Sequence, residues 1–326
     1  ERSLEIQNNR ALQRLAGLES LREVEGSVRI GDNPALGTFN GLDSLERTGE
    51  LSIYNNESIR DLRGLERLAH VRGWIHLSEN PALIRLEGLD GLRTLTEGLN
   101  LERNEQLTVL EGLPALDSIP RFELRRSNVQ RIRALGFGRI EGSLRIENNA
   151  ELTRIDGFER LTRVGEVIIT QNPQLETVRG FDALGSVDRL EIQRNPSLTV
   201  TEFSALTTVS RGLSLVDNDA MRTAGDFPSL ERVGQELRII GFEMLSSLRG
   251  FEALVEVDQL RILQNDNLSV LDGLPSLESV QSDLQIGSNR RLERVAGFES
   301  LGSVRGLYIN ENESLQTVAG FPVLRS

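Results

Sequence analysis

The sequence predicts a mainly β solenoid, right-handed, of about fourteen turns of 22–24 residues, with a parallel sheet, an asparagine ladder and little helix. Three observations predict it. A core isoleucine-type position recurs at Ile6, Ile30, Ile53, Leu77, Leu101, Leu124, Ile146, Ile169, Ile192, Leu215, Ile239, Ile262, Ile286 and Ile309. An asparagine follows three residues later in most turns, and a Gly-Leu or Gly-Phe step follows that. A period of this length means that each turn covers the apolar face of the next.

Within a turn, the strand comes first. Leu99 and Leu101 alternate with Gly98, Asn100 and Glu102, a period of two that sends the leucines inward and the others to the sheet face. The asparagine stands where the chain leaves the strand, at Asn9, Asn33, Asn56, Asn80, Asn104, Asn149, Asn172, Asn195, Asn218, Asn265, Asn289 and Asn312. A buried carboxamide there can accept from one backbone N–H and donate to a neighbouring carbonyl, so the ladder reads as structural. The next apolar pair, such as Leu107 and Leu110, lines a second side. Glycine at Gly17, Gly41, Gly157, Gly180 and Gly297 is expected to turn the following corner with positive φ, while the large residue after it plugs the core. The stretch Phe298–Leu301 is too short for a helix and predicts a 3₁₀ turn.

Composition narrows the function classes. Net charge is −12, which argues against nucleic acid as a partner, because neutralising phosphates needs a basic face. Without cysteine there is no disulfide framework, thiolate metal site or thiol nucleophile, and no motif calls for a cofactor or a metal. No apolar run approaches a membrane span. All 37 basic residues are arginine, a pattern expected from codon bias in a GC-rich genome or from selection against amine chemistry. The chain opens at Glu1 without methionine and is within a strand by Leu4, so it reads as a piece of something longer. The expected organisation is a single continuous solenoid over 1–326, with the irregular turn 116–136 as a candidate boundary between halves 1–115 and 137–326.

The spacing Asn33-Pro34-Ala35-Leu36 and Asn172-Pro173-Gln174-Leu175 places leucine three residues after asparagine, where the common leucine-rich repeat has two. This V-x-G-x-L-x-I-x-x-N-P-x-L pattern, carried by 21–115 and 137–326, resembles the receptor L-domain family, a leucine-rich-repeat-like group of β-helical ligand-binding modules in receptor ectodomains. Related repeats occur in fungal wall proteins and bacterial surface proteins. The resemblance implies a binding role and an extracellular or cell-surface location, bacterial here, with a cytoplasmic one left open. Receptor modules are shorter and disulfide-capped, and this chain meets neither feature.

Departures from the repeat are where function is sought, since a solenoid has no structural reason to abandon a working turn. The turn from Leu116 to Gly136 is short, has Ser127 for asparagine, is read as lacking the Gly-Phe corner, and gathers Arg121, Arg125 and Arg126 as a candidate anion patch. In the turn of Ile239, Phe242 replaces the asparagine, and the outward column reads Val216, Ile240, Leu263 where other turns have Gln7, Ser78, Glu102, Thr170 or Gln193. With Arg238 and Arg261 beside it, this is an apolar patch rimmed by cations, the make-up of a protein interface. These five residues and Phe242 are the candidate partner-binding set. Tyr54, Trp74 and His76 form a candidate aromatic site for a sugar ring or a peptide.

The reading that follows is a recognition module for a protein or glycan ligand. One alternative is a structural spacer that self-associates through uncapped ends. Another is a polysaccharide-acting β-helix enzyme, which would need paired carboxylates in one groove. The acids Glu5, Glu102, Glu123, Glu147 and Glu191 fall on the strand face but alternate with arginines.

Overall fold

The structure is a computed structural model and describes residues 2–325. The chain divides into two compact units, Glu1–Leu161 and Thr162–Ser326. Each is a parallel β-solenoid, and no helix occurs among the described residues.

In the first unit the strands Leu4–Gln7, Glu23–Gly31, Arg47–Tyr54, Trp74–Ser78, Gly98–Glu102, Ser118–Arg125 and Arg139–Glu147 pair in chain order. Their register joins each core isoleucine-type residue to the next, from Ile6 and Ile30 to Leu124 and Ile146. A second short sheet, Val109–Gly112, Arg131–Leu135 and Arg154–Asp156, runs along another side. The second unit repeats the plan with Arg163–Thr170, Ser186–Gln193, Leu213–Val216, Arg232–Ile240, Glu256–Leu263, Ser279–Gly287 and Ser303–Asn310. The irregular turn 116–136 lies within the first of these units. Its strand Ser118–Arg125 is paired on both sides inside the first unit.

The asparagine ladder has one geometry throughout. Asn56 Nδ2 donates to the Ile30 carbonyl of the preceding turn at 3.0 Å and to Tyr54 at 2.9 Å, and the Asn56 N–H donates to Asn80 Oδ1 at 3.1 Å. From Asn33 to Asn289, ten of these side chains are fully buried. The backbone carbonyl of the same residue then closes a tight turn: Leu36 N–H donates to Asn33 at 3.0 Å and Leu175 N–H to Asn172 at 3.1 Å. That bond accounts for the spacing of three between asparagine and leucine. Ser127 keeps half a rung, its N–H donating to Asn149 Oδ1 at 3.1 Å while its hydroxyl caps Arg125 at 3.1 Å. Phe242 has no polar side-chain atom to offer, yet its N–H still donates to Asn265 Oδ1 at 3.2 Å.

The residue immediately before the asparagine is left-handed in turn after turn. Asn8, Asp32, Asn55, Glu79, Arg103, Arg126, Asn148, Gln171, Arg194, Asp217, Gln264, Ser288 and Glu311 all have φ between 47° and 61°, and Gly241 takes the same place before Phe242 at 77°. Most of these are not glycine, although a left-handed conformation costs an L-residue about 1–2 kcal/mol. The backbone repays the strain by keeping its ladder bond through the bend: Gln264 N–H donates to Gly287 at 3.1 Å and Glu79 N–H to Glu102 at 3.0 Å.

At the next corner Gly17, Gly41, Gly180 and Gly297 have positive φ as expected, but Gly157 does not. Gly157 is small for another reason: a Cβ there would meet the Arg133 backbone at 2.9 Å. Nor does the short turn lack its corner. Gly136-Phe137 supplies it, with Phe137 fully buried 5.6 Å from Phe122. In the second unit the plugging phenyls stack on one another, Phe181 to Phe203 at 4.9 Å, Phe203 to Phe227 at 5.4 Å and Phe227 to Phe251 at 5.2 Å. Such pairs contribute roughly 0.5–1.5 kcal/mol each beyond their buried area. The expected 3₁₀ segment is a single turn, Leu301 N–H to Phe298 carbonyl at 3.1 Å.

Two stability predictions follow from this backbone. Asn195→Ala removes donors to Ile169 and Gln193 and an acceptor for Asn172, so it should lower unfolding free energy by about 1–3 kcal/mol in denaturant melts. Gln264→Gly relieves a φ of 59° and should raise the melting midpoint, by a gain of up to about 1 kcal/mol after glycine's extra entropy cost; a lower midpoint would refute the strain.

Candidate functional site

Every surface property of such a fold is a property of columns, because successive turns place equivalent residues about 4.8 Å apart. In the second unit three columns face outward from the large sheet. The first runs Glu166, Arg189, Gly212, Glu236, Gln259, Asp283; the second Ile168, Glu191, Ser214, Arg238, Arg261, Gln285; the third Thr170, Gln193, Val216, Ile240, Leu263, Gly287. The register sets Val216 against Ile240 and Ile240 against Leu263, so the three aliphatic residues form one stripe. All three are half-buried at the surface. Arg238 lies against Arg261 in the adjoining column, two residues before Ile240 and Leu263 respectively. Val216, Ile240, Leu263, Arg238 and Arg261 are therefore brought together. Phe242 is not part of this surface: it is fully buried, because it fills the core position that the rung asparagine holds in neighbouring turns.

The electrostatics of the stripe's border are uneven. Arg261 Nε lies 3.0 Å from Glu236 Oε1, and Arg189 lies 3.2 Å from Glu191. Arg238 forms no ion pair among the described residues, and its buried Nε has no hydrogen-bond partner. At the stripe's other end Gln193 Nε2 donates to Ser214 Oγ at 3.1 Å, closing the polar border there.

The aromatic set separates. Trp74 and His76 stack, centroids 5.3 Å apart and planes 17° from parallel. Trp74 leans toward the following turn, where a Cβ on Gly98 would lie 2.5 Å from its ring. Tyr54 leans the other way, over Gly31, where a Cβ would meet its ring at 2.2 Å. Burial, then Asp32, pushes the Tyr54 phenol up. Tyr54 is thus no partner of the other two. Arg121 takes that place, its guanidinium 5.9 Å from the Trp74 ring centroid, a cation–π distance. The sequence signal for this contact was the column Trp74, Gly98, Arg121, in which the glycine opens the space between the other two.

The anion patch dissolves for the same reason. Arg121 sits on Trp74, Arg125 is bound by Glu123 at 3.2 Å and Glu147 at 3.0 Å, and Arg126 reaches Glu102 at 3.1 Å. Arg131 and Arg133 lie on the second sheet, paired with Asp156 and Glu111. Arg125 and Arg126 are thus neutralised by acids of their own and of adjacent turns, while Arg121 rests on a ring instead. All five strand-face acids are likewise engaged, Glu5 by Arg29 and Glu191 by Arg189 completing the set. No group of three His, Cys, Asp or Glu side chains among the described residues could hold a metal. One groove of about 320 Å³ is lined by Thr199, Thr201, Met221, Asp226, Arg249 and Glu252, and another begins at Gln264, beside the stripe, with Asp266, Ser288 and Arg290.

No protein-family model matches this sequence, and no curated protein is significantly similar to it. Among solved structures, a crystal structure of a TLR13–ssRNA13 complex aligns with 97% of this chain at 14% identity and a TM-score of 0.35. This chain spans 65% of that one.

Close to the stripe, Asp219 is raised above its ordinary 3.8 by burial, then by the carboxylates of Glu243 and Asp217. A raised carboxyl penalises the folded state once it ionises. The penalty is absent below the ordinary value and complete above the raised one. Asp219→Asn should therefore raise the melting midpoint at neutral pH, with the difference vanishing by about pH 3; an equal effect at both pH values would point to packing instead.

Proposed function

We propose that this chain is a non-enzymatic recognition module that binds a protein or glycan partner on its sheet face, as part of a larger surface or secreted protein. One observation carries the reading: three half-buried aliphatic residues stand in register on an outward sheet face, bordered by guanidinium groups. Contiguous apolar surface with a cationic rim is the composition of an interface core and its border. The strand-face acids are occupied by neighbouring arginines rather than set as a facing pair in a groove, which supports binding over hydrolysis. The surface or secreted setting, bacterial here, rests on the resemblance to receptor L-domains.

The test is capture from the native source with the wild-type chain beside an Ile240→Asp, Leu263→Asp double variant, both checked by circular dichroism. A partner recovered with the wild type and lost at least tenfold with the folded variant is the expected result. Equal recovery by both would remove the stripe from the binding surface.

A further inference from the structure

We infer that the partner of the second unit's sheet face is a polypeptide segment in extended conformation, carrying a carboxylate two residues from an aliphatic side chain. Arg238 with Arg261 takes the carboxylate, and Ile240 with Leu263 takes the aliphatic group. The inference rests on the recognition reading above and adds the chemistry of what is recognised.

The first ground is an unmet charge. Sheet-face arginines of this protein are habitually neutralised by their neighbours: Arg29 by Glu5, Arg125 by Glu123 and Glu147, Arg189 by Glu191, Arg261 by Glu236. Arg121 has the Trp74 ring. Arg238 has neither acid nor ring, and its Nε is buried without a hydrogen bond. Its neighbours in register are Ser214 on one side and Arg261 on the other. Two arginines on adjacent strands, about 4.8 Å apart along the backbone, bring like charges to one place and together offer forked donors to a single carboxylate.

The second ground is spacing. Each of two adjacent strands reads arginine, core residue, aliphatic: Arg238-Ile239-Ile240 and Arg261-Ile262-Leu263, with Ile239 and Ile262 fully buried between. The cation and the aliphatic group are thus i and i+2 on one face, roughly 6.6–6.8 Å apart. Another extended chain lying along the strands offers its own i and i+2 side chains at the same interval. A sugar has no aliphatic branch to match Ile240 and Leu263. An anionic lipid surface is disfavoured by the protein's net charge of −12 and by Glu236, Glu191 and Asp283 around the site. One carboxylate fits between those acids and a sheet of phosphates does not.

The experiment is fluorescence anisotropy with a labelled peptide reading Ser-Leu-Thr-Glu-Thr-Leu-Ser and its counterpart with glutamine for glutamate. Phosphatidylserine vesicles serve as the competing surface. The wild type should prefer the glutamate peptide by about tenfold, the size of one charge-assisted contact. Arg238→Gln should bind both peptides alike, Arg261→Gln should lose part of the preference, and Ile240→Asp should bind neither. Binding of neither peptide by the wild type, a preference that survives Arg238→Gln, or capture by the vesicles overturns the inference. If the wild type binds both peptides equally and Ile240→Asp loses both, the recognition face stands and only the acidic specificity falls. If Ile240→Asp binds both as the wild type does, the recognition face falls as well.

Discussion

Everything on the surface of this protein depends on a bond made in its interior, the rung between an asparagine carboxamide and the carbonyl of the preceding turn. Asn56 to Ile30, Asn195 to Ile169 and Asn289 to Ile262 are the same contact at 3.0, 3.1 and 3.0 Å. Each is worth about 1 kcal/mol net, but an unmet buried carbonyl costs about 1–3 kcal/mol, so the penalty for slipping by a residue exceeds the gain of any single rung. A slip would also turn each core leucine or isoleucine to solvent. The rung and the core therefore enforce one register, and the register turns a one-dimensional sequence into columns.

Columns explain why the surface is knitted by arginine–carboxylate pairs between turns. Arg63 and Glu87 lie 2.8 Å apart, as do Arg103 and Glu79, and both pairs join residues one repeat apart. Exposed pairs of this kind contribute little to stability, about 0–1 kcal/mol each. Their larger effect is to remove net charge from each column, leaving a face that is polar and quiet. Against that background a departure has chemical meaning, and departures cluster in the turn of Ile239, which changes at Ile240, Gly241 and Phe242 together.

The fold was legible in the sequence because it is periodic. The positions of Ile53, Asn56 and Leu62 each follow from a repeated physical need, and averaging over many turns makes each need visible. What averaging hides is direction. The repeat alone does not say that Tyr54 leans back over Gly31 while Trp74 leans forward over Gly98, because the lean depends on which neighbouring turn carries the glycine. The left-handed residue before each asparagine was invisible for a different reason. Its side chain varies from Asn8 through Glu79 to Gln264 because the backbone, held by ladder bonds on both sides, fixes φ whatever the side chain is. The partners of Arg125 and Arg126 are not legible along one turn, because Glu147 and Glu102 reach them from the turns on either side.

The stripe at Val216, Ile240 and Leu263 is legible in the sequence because it is a column property, fixed by the repeat itself. Its meaning is not, since the state of Arg238 depends on what occupies the same column one turn away. A carboxylate at the place of Ser214 would have paired Arg238 as Glu5 pairs Arg29. Folding does not require such a pairing. The core beneath, from Leu237 and Ile239 to Leu260 and Ile262, is fully buried whichever residue stands above it. Since the interior is indifferent to the outward columns, their composition is free to answer to something outside the fold. An aliphatic row left in water is costly, and a partner that buries it while neutralising the unpaired guanidinium beside it would relieve that cost.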